Sequence, residues 1–416
     1  MAGSSFALCS PQRDVPGFCR KYMRMWGETP NSFPALSRIY TCKEQNQKEK
    51  QLSRLIKDEN LDQARLSDDF IVDFRRIKFV KRTMKTFRLA KLDDGQDFDV
   101  DSFVDKLYRA TEEFSAMAKE FDPGVLNEEI HQALRNLWII NTIQICFGKP
   151  VSVLRSGFAY SMIYPYSDNY LDASEVSSGE KKDFCSRLER RLRGERPPCN
   201  NENDARIFRL IGMIESEFCR DRFKDVYESL LAIHHAQSSA LRQQRMNDDL
   251  SAGDLLRLSV EKGGTSVLAD GFIANGILGC ADADFLFGFG VSLQLIDDLQ
   301  DIEEDIANGH TSLLSLEAAS APLDGIVNRL LNFIAAILIS PGLQKSPDAC
   351  GIAHMIEKSS KALIFESIAK NPQLYSQSFV EKIERHSPLS FEYLLKMGKS
   401  LRSRYDSSPR VRLAVA

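Results

Sequence analysis

Apolar residues recur every three or four positions along most of the chain, the spacing that gathers them on one face of an α-helix. In 74–92, Ile77, Val80, Met84 and Phe87 keep this spacing, while Arg75, Lys78, Arg82 and Lys85 fall on other faces. Longer apolar stripes run through 134–147, 205–245 and 285–306. Strand signals are scarce, because no Asn-Gly or Asp-Gly turn separates two alternating runs. The pattern predicts an all-α protein.

The breaks between helices are short. Residues 173–180 are small and polar, 194–204 carry Pro197, Pro198, Asn200 and Asn201, and 341–348 form a third break. None has the length or composition of an interdomain linker. A chain of 416 residues would by length alone suggest two or three domains. The absence of linkers and repeats predicts one helical domain over 61–416, with 1–60 as an arm packed on it.

Composition narrows the partners. The chain has 54 Lys plus Arg against 58 Asp plus Glu, a net charge of -4, which gives no general reason to expect nucleic acid. Hydrophobic residues make up 43%, enough to build a core and to rule out disorder as the main state. The most apolar stretch, 325–339, is interrupted by Asn328 and Arg329 and precedes Pro341, so no membrane span is expected. The nine cysteines are scattered, odd in number and without a CxxC pair, which argues against a disulfide framework or a structural zinc. With no secretory signal visible in 1–20, a cytoplasmic location is expected.

Two acidic clusters carry the candidate chemistry. In the first, Tyr164-Pro-Tyr-Ser-Asp168-Asn169-Tyr-Leu-Asp172, the two aspartates lie four apart and share a helix face. Like charges at that spacing oppose each other unless a cation joins them, and Asn169 adds a neutral oxygen. Such hard oxygen donors suit Mg2+, which usually shares phosphate oxygens and keeps waters. The other cluster is Gln294-Leu-Ile-Asp297-Asp298-Leu-Gln-Asp301, followed by Glu303, Glu304 and Asp305. Asp297, Asp301 and then Glu304 or Asp305 form one helical stripe that emerges from an apolar run containing Phe287, Gly288, Phe289, Gly290 and Leu293. Carboxylates placed there are expected to face a cavity and to need a counter-ion. From 168 to 297 is 129 residues, which allows the two helices to face each other across a bundle.

In this pairing the sequence resembles the class I isoprenoid synthase superfamily, which includes prenyl diphosphate synthases, squalene and phytoene synthases and class I terpene cyclases. The first motif departs from DDxxD by having Asn169 at its second position. The Asp297 motif is similar to the later aspartate-rich motif of prenyl synthases, including Gln294. Asn247-Asp248-Asp249 opens like the NSE motif of cyclases, but Leu255 stands where that motif needs Glu, so it is read as a decoy. Ser259-Val-Glu-Lys262-Gly263-Gly264-Thr265 resembles the family's broken helix beside the substrate. There Lys262 and Thr265 resemble a diphosphate-binding pair, and the glycines are expected to interrupt the helix. Arg404-Tyr405 resembles the Arg-Tyr pair that closes on diphosphate in microbial cyclases.

The resemblance implies a helical bundle around a central active-site cavity and a soluble enzyme that uses bound Mg2+, three ions in the family pattern. The ligands would be Asp168, Asn169, Asp172, Asp297, Asp298, Asp301 and Asp305. Tyr164 and Leu293 are pocket candidates. The implied reaction is cyclisation of a linear allylic diphosphate, with farnesyl diphosphate giving a sesquiterpene such as humulene. The likeness is greatest to atypical fungal sesquiterpene cyclases, the humulene synthases of meroterpenoid pathways, and a homodimer is compatible with it. Chain elongation by a prenyl synthase and head-to-head coupling of the squalene or phytoene type remain alternatives, as does a non-catalytic helical scaffold.

Overall fold

A computed structural model describes residues 7–36, 38–58, 99–173, 175–240, 250–339, 342 and 349–397. The basic segment 74–92, the Asn247-Asp248-Asp249 decoy, and the Arg404-Tyr405 pair lie outside the described residues. What is described is helical, with one isolated antiparallel bridge between Leu8 and Gly279. Among the described residues no helix is long and apolar enough to cross a membrane.

The chain begins with α1 (Pro11–Glu28) and α2 (Cys42–Asp58). Then come α3 (Val100–Phe121), α4 (Asn127–Cys146), α5 (Arg155–Asp172), α6 (Ser178–Leu192), α7 (Glu202–Glu217) and α8 (Lys224–Ala240). The central pair is α9 (Ala252–Asn275) and α10 (Cys280–Gln300). Short α11 (Ile302–Asn308) and α12 (Leu313–Ala318) lead to α13 (Asp324–Leu338), α14 (Ala349–Lys370) and α15 (Gln377–Glu384).

Local chemistry explains several boundaries. Ser177 caps α6 by accepting from the Glu180 amide, while the Glu180 side chain returns to the Ser177 amide. Ser251 and Asp254 form the same reciprocal cap on α9. Ser251 therefore works as a helix cap and Leu255 is fully buried in the core, so neither position of the decoy offers a cation ligand. The stripe 205–245 is continuous in its spacing, but over its described part, 205–240, it is two helices. The chain leaves α7 at Phe218 and turns through 219–223, where the Arg222 and Phe223 amides both donate to the Cys219 carbonyl. No glycine or proline marks that turn.

α9 is the core of the molecule, packed by α1, α4, α8 and α10. The expected interruption at Gly263-Gly264 is absent, because α9 runs unbroken from Ala252 to Asn275. The glycines serve close approach instead. A Cβ on Gly263 would stand 2.4 Å from the Gly290 carbonyl oxygen, and one on Gly290 would stand 2.0 Å from the Gly263 carbonyl oxygen. A Cβ on Gly264 would meet the Phe287 ring at 2.3 Å. The helix cost of paired glycines, about 1 kcal/mol each, is thus offset by backbone-to-backbone contact between α9 and α10. Within residues 1–60, α1 sends Tyr22 and Trp26 into the same core, and the Tyr22 hydroxyl donates to the Asp284 carbonyl at 2.6 Å.

Candidate functional site

A cavity of about 370 Å3 lies among α4, α5, α8, α9, α10 and α14. Its walls are mainly apolar and aromatic, with Trp138, Ile139, Phe289, Leu293, Met355 and Leu363. Tyr164, Arg135, Gln237, Lys262, Gly263, Gln294 and Asp297 supply the polar lining. A small number of polar groups set in an apolar wall is the usual make-up of a small-molecule site.

The first acidic motif occupies the last two turns of α5. Asp168 is half-buried and accepts from the Gln237 amide nitrogen at 2.9 Å. Burial pushes its carboxyl up to about 6, against the opposing effects of the Lys262 ammonium and the Tyr164 phenol. Asn169 and Asp172 are exposed at the helix end. Tyr164 lies one turn before Asp168, and burial holds its phenol well above the ordinary tyrosine range, so it stays neutral.

The other motif comes from the end of α10. Asp297 accepts from Arg135 Nη2 on α4 at 2.8 Å. Asp298 accepts from Ser259 Oγ on α9 and from Gln294 Nε2, each at 2.8 Å. Burial also raises Asp298 to about 6, and Lys262 again acts against the shift. The acidic stripe bends at Asp301, which ends α10 and opens α11, although the amides of Asp301 and Asp305 still donate to the carbonyls four residues back. Asp301 is raised to about 6, first by desolvation and then by the charges of Asp297, Asp305 and Glu304. Asp305 is turned aside to His310 Nδ1, 3.2 Å away.

The two motifs share one electrostatic neighbour: the Lys262 ammonium on α9 favours the charged form of both Asp168 of α5 and Asp298 of α10. Lys262, Gly263, Gln294, Leu293, Tyr164 and Asp297 share the cavity. Thr265 does not join them. Its hydroxyl donates to the Glu261 carbonyl at 2.6 Å, and it lines a separate cavity. Thr265 is only about 60° around the helix from Lys262, so it is the hydroxyl's bond to its own helix backbone and its place in the other cavity's wall that separate the two. Gly264 likewise faces Phe287 rather than the cavity.

Arg135, Gln237, Ser259, Trp138 and His310 are site residues that spacing alone does not single out. Arg135 carries a signal, since it is a lone cation within the apolar stripe of α4. Gln237 and Ser259 carry none, because each gains its role from a partner on a distant helix.

Among the described residues, no three His, Cys, Asp or Glu side chains converge on one point as a ready-made metal cage. The donors nonetheless fit hard divalent cations shared with a phosphate ligand. Asp168 and Asp301 are carboxylates whose charge is opposed by desolvation, which is the condition a bound cation relieves. Asp298 and Asp305 are engaged by Ser259, Gln294 and His310, and Asp168 and Asp297 by Gln237 and Arg135, so a cation would compete with a side-chain partner at each of these four. Neither a protein-family model nor a curated protein sequence matches this chain.

Proposed function

We propose that the chain is a class I terpene cyclase of the isoprenoid synthase superfamily, acting on a linear allylic diphosphate, best farnesyl diphosphate, to release a sesquiterpene hydrocarbon such as humulene. The observation that carries this reading is Lys262, whose ammonium lies in the field of one aspartate from each acidic motif beside an apolar, aromatic cavity. A scaffold protein has no need for a lysine and a carboxylate, Lys262 and Asp297, in the wall of such a cavity.

Asp168, Asp172, Asp297 and Asp301 would hold Mg2+, which when bound supplies charge neutralisation for the diphosphate. Lys262 and Arg135 add fixed positive charge on the leaving-group side. The allylic C–O bond breaks with both electrons passing to the diphosphate. The walls then keep water from the carbocation, while Trp138, Phe289 and Tyr164 offer ring faces to positive charge. The chain closes on itself, and a proton leaves to the released diphosphate. The free thiols of the described cysteines support a reducing, cytoplasmic setting.

The test is incubation of the purified protein with Mg2+ and, separately, the C10, C15 and C20 allylic diphosphates, with and without isopentenyl diphosphate. A hydrocarbon from the C15 substrate alone is expected, lost with EDTA and in Asp168→Ala and Asp297→Ala proteins that keep their helical circular dichroism. Product formed only with isopentenyl diphosphate would replace cyclisation by chain elongation.

A further inference from the structure

A second cavity exceeds the acidic one in volume. About 840 Å3 opens between α1, α8 and α9, within the range of small-molecule sites. Its floor is apolar, with Val15, Met23, Leu231, Ala232 and Ala236. Its rim carries the cations Arg20, Arg193, Arg220, Lys224 and Arg257 against the acids Glu228 and Glu261, a local positive excess in a chain of net charge -4.

Most of these cations are committed. Arg193 pairs with Glu189 at 2.7 Å, Arg220 with Glu215 at 2.8 Å and Lys224 with Glu228 at 3.5 Å. Arg20 and Arg257 are exposed, and among the described residues no ion pair holds either. Both line the cavity together with Cys19 and Glu261, so its wall offers two guanidinium groups against one carboxylate there. A planar guanidinium matches a carboxylate or phosphate with two parallel hydrogen bonds. The same cavity has an apolar floor that would shed water from a hydrocarbon.

We propose that this cavity binds a free single-chain amphiphilic anion, with its carboxylate or phosphate head at Arg20 and Arg257 and a flexible tail of roughly ten to sixteen carbons along the α1–α8 floor. The site is distinct from the acidic cavity, since Arg257, Glu261 and Thr265 occupy the face of α9 opposite Lys262, Gly263 and Ser266. It stands whether or not the chain is a cyclase.

Calorimetric titration of the full chain with dodecyl phosphate, below its micellar concentration and in EDTA, tests it. One saturable site is expected, weakened at least tenfold in the R20Q/R257Q protein and unchanged in Lys262→Gln. Inorganic phosphate and dodecanol, each lacking half of the ligand, should show no saturable binding. Undiminished affinity in R20Q/R257Q, or loss of binding in Lys262→Gln alone, would place the amphiphile elsewhere and overturn the assignment. Equal binding of dodecanol would overturn the role of the arginines. Co-sedimentation with phosphatidic acid vesicles without binding of monomeric dodecyl phosphate would overturn the proposal in favour of a membrane surface.

Discussion

Arg135 on α4 and Asp297 on α10 are joined by a 2.8 Å hydrogen bond from Nη2 to Oδ1, across 162 residues of chain. The pair closes one wall of the acidic cavity and balances a carboxylate of the α10 motif. Its side chains are 57% and 34% exposed, so solvent limits its worth to stability to about 1 kcal/mol or less. Its worth to chemistry is expected to be larger. Arg135→Gln should melt close to the parent protein yet lose on the order of a hundredfold in turnover of an allylic diphosphate. Turnover within threefold of the parent would remove Arg135 from the site.

The contact of α9 with α10 makes a prediction about stability alone. Alanine at 290 would place its Cβ 2.0 Å from the Gly263 carbonyl oxygen, and backbone cannot swing aside as a side chain can. Gly290→Ala should cost about 3 kcal/mol or more in urea unfolding. Gly253, in the first turn of α9, meets nothing nearer than Ser251 Oγ at 3.7 Å, so Gly253→Ala should be neutral or add up to about 1 kcal/mol. A Gly290→Ala cost below about 1 kcal/mol would mean that the helices are not in contact there.

The helical character of the chain is legible from spacing, because an amphipathic stripe is a local property. The two acidic motifs are legible for the same reason: Asp168 and Asp172, or Asp297 and Asp301, are neighbours along a helix before any tertiary contact forms. Gly263 and Gly264 mislead. Propensity penalises them in any isolated helix, and only the surface of α10 turns that cost into a close contact. Thr265 misleads because its hydroxyl is taken by the Glu261 carbonyl of its own helix and its side chain lines the other cavity, neither of which spacing shows. Arg135 and Gln237 cannot be paired with their aspartates from spacing, since both contacts depend on how distant helices cross.

His234 on α8 predicts acid sensitivity. It is buried, with Nε2 3.0 Å from the Cys185 carbonyl, and burial followed by the neighbouring His235 lowers it to about 4. The native state thus keeps His234 neutral while the unfolded chain takes up a proton near the ordinary 6.5. The associated stability is present above 6.5 and is lost as pH falls toward 4, about 3 kcal/mol over that window. His234→Gln retains an N–H for Cys185 and should unfold with a flatter pH dependence. Parallel wild-type and variant curves in urea between pH 7 and about 4.5 would refute this.

Asp270, fully buried on α9, predicts the opposite slope. Neither of its carboxyl oxygens has a hydrogen-bond partner, and burial alone pushes it well above the usual carboxylate range. The native protein therefore holds the proton that the unfolded chain releases above its ordinary value of 3.8. Below that value both states are protonated and nothing is lost. Above it, stability falls by about 1.4 kcal/mol per pH unit until the native carboxyl ionises. Asp270→Asn removes the ionisation but keeps the shape, so its stability relative to the parent should grow steadily as pH rises. Urea midpoints of the two proteins at pH 4.5, 6 and 7.5 measure this directly. A difference that stays constant across the three would mean that Asp270 is already ionised in the native state.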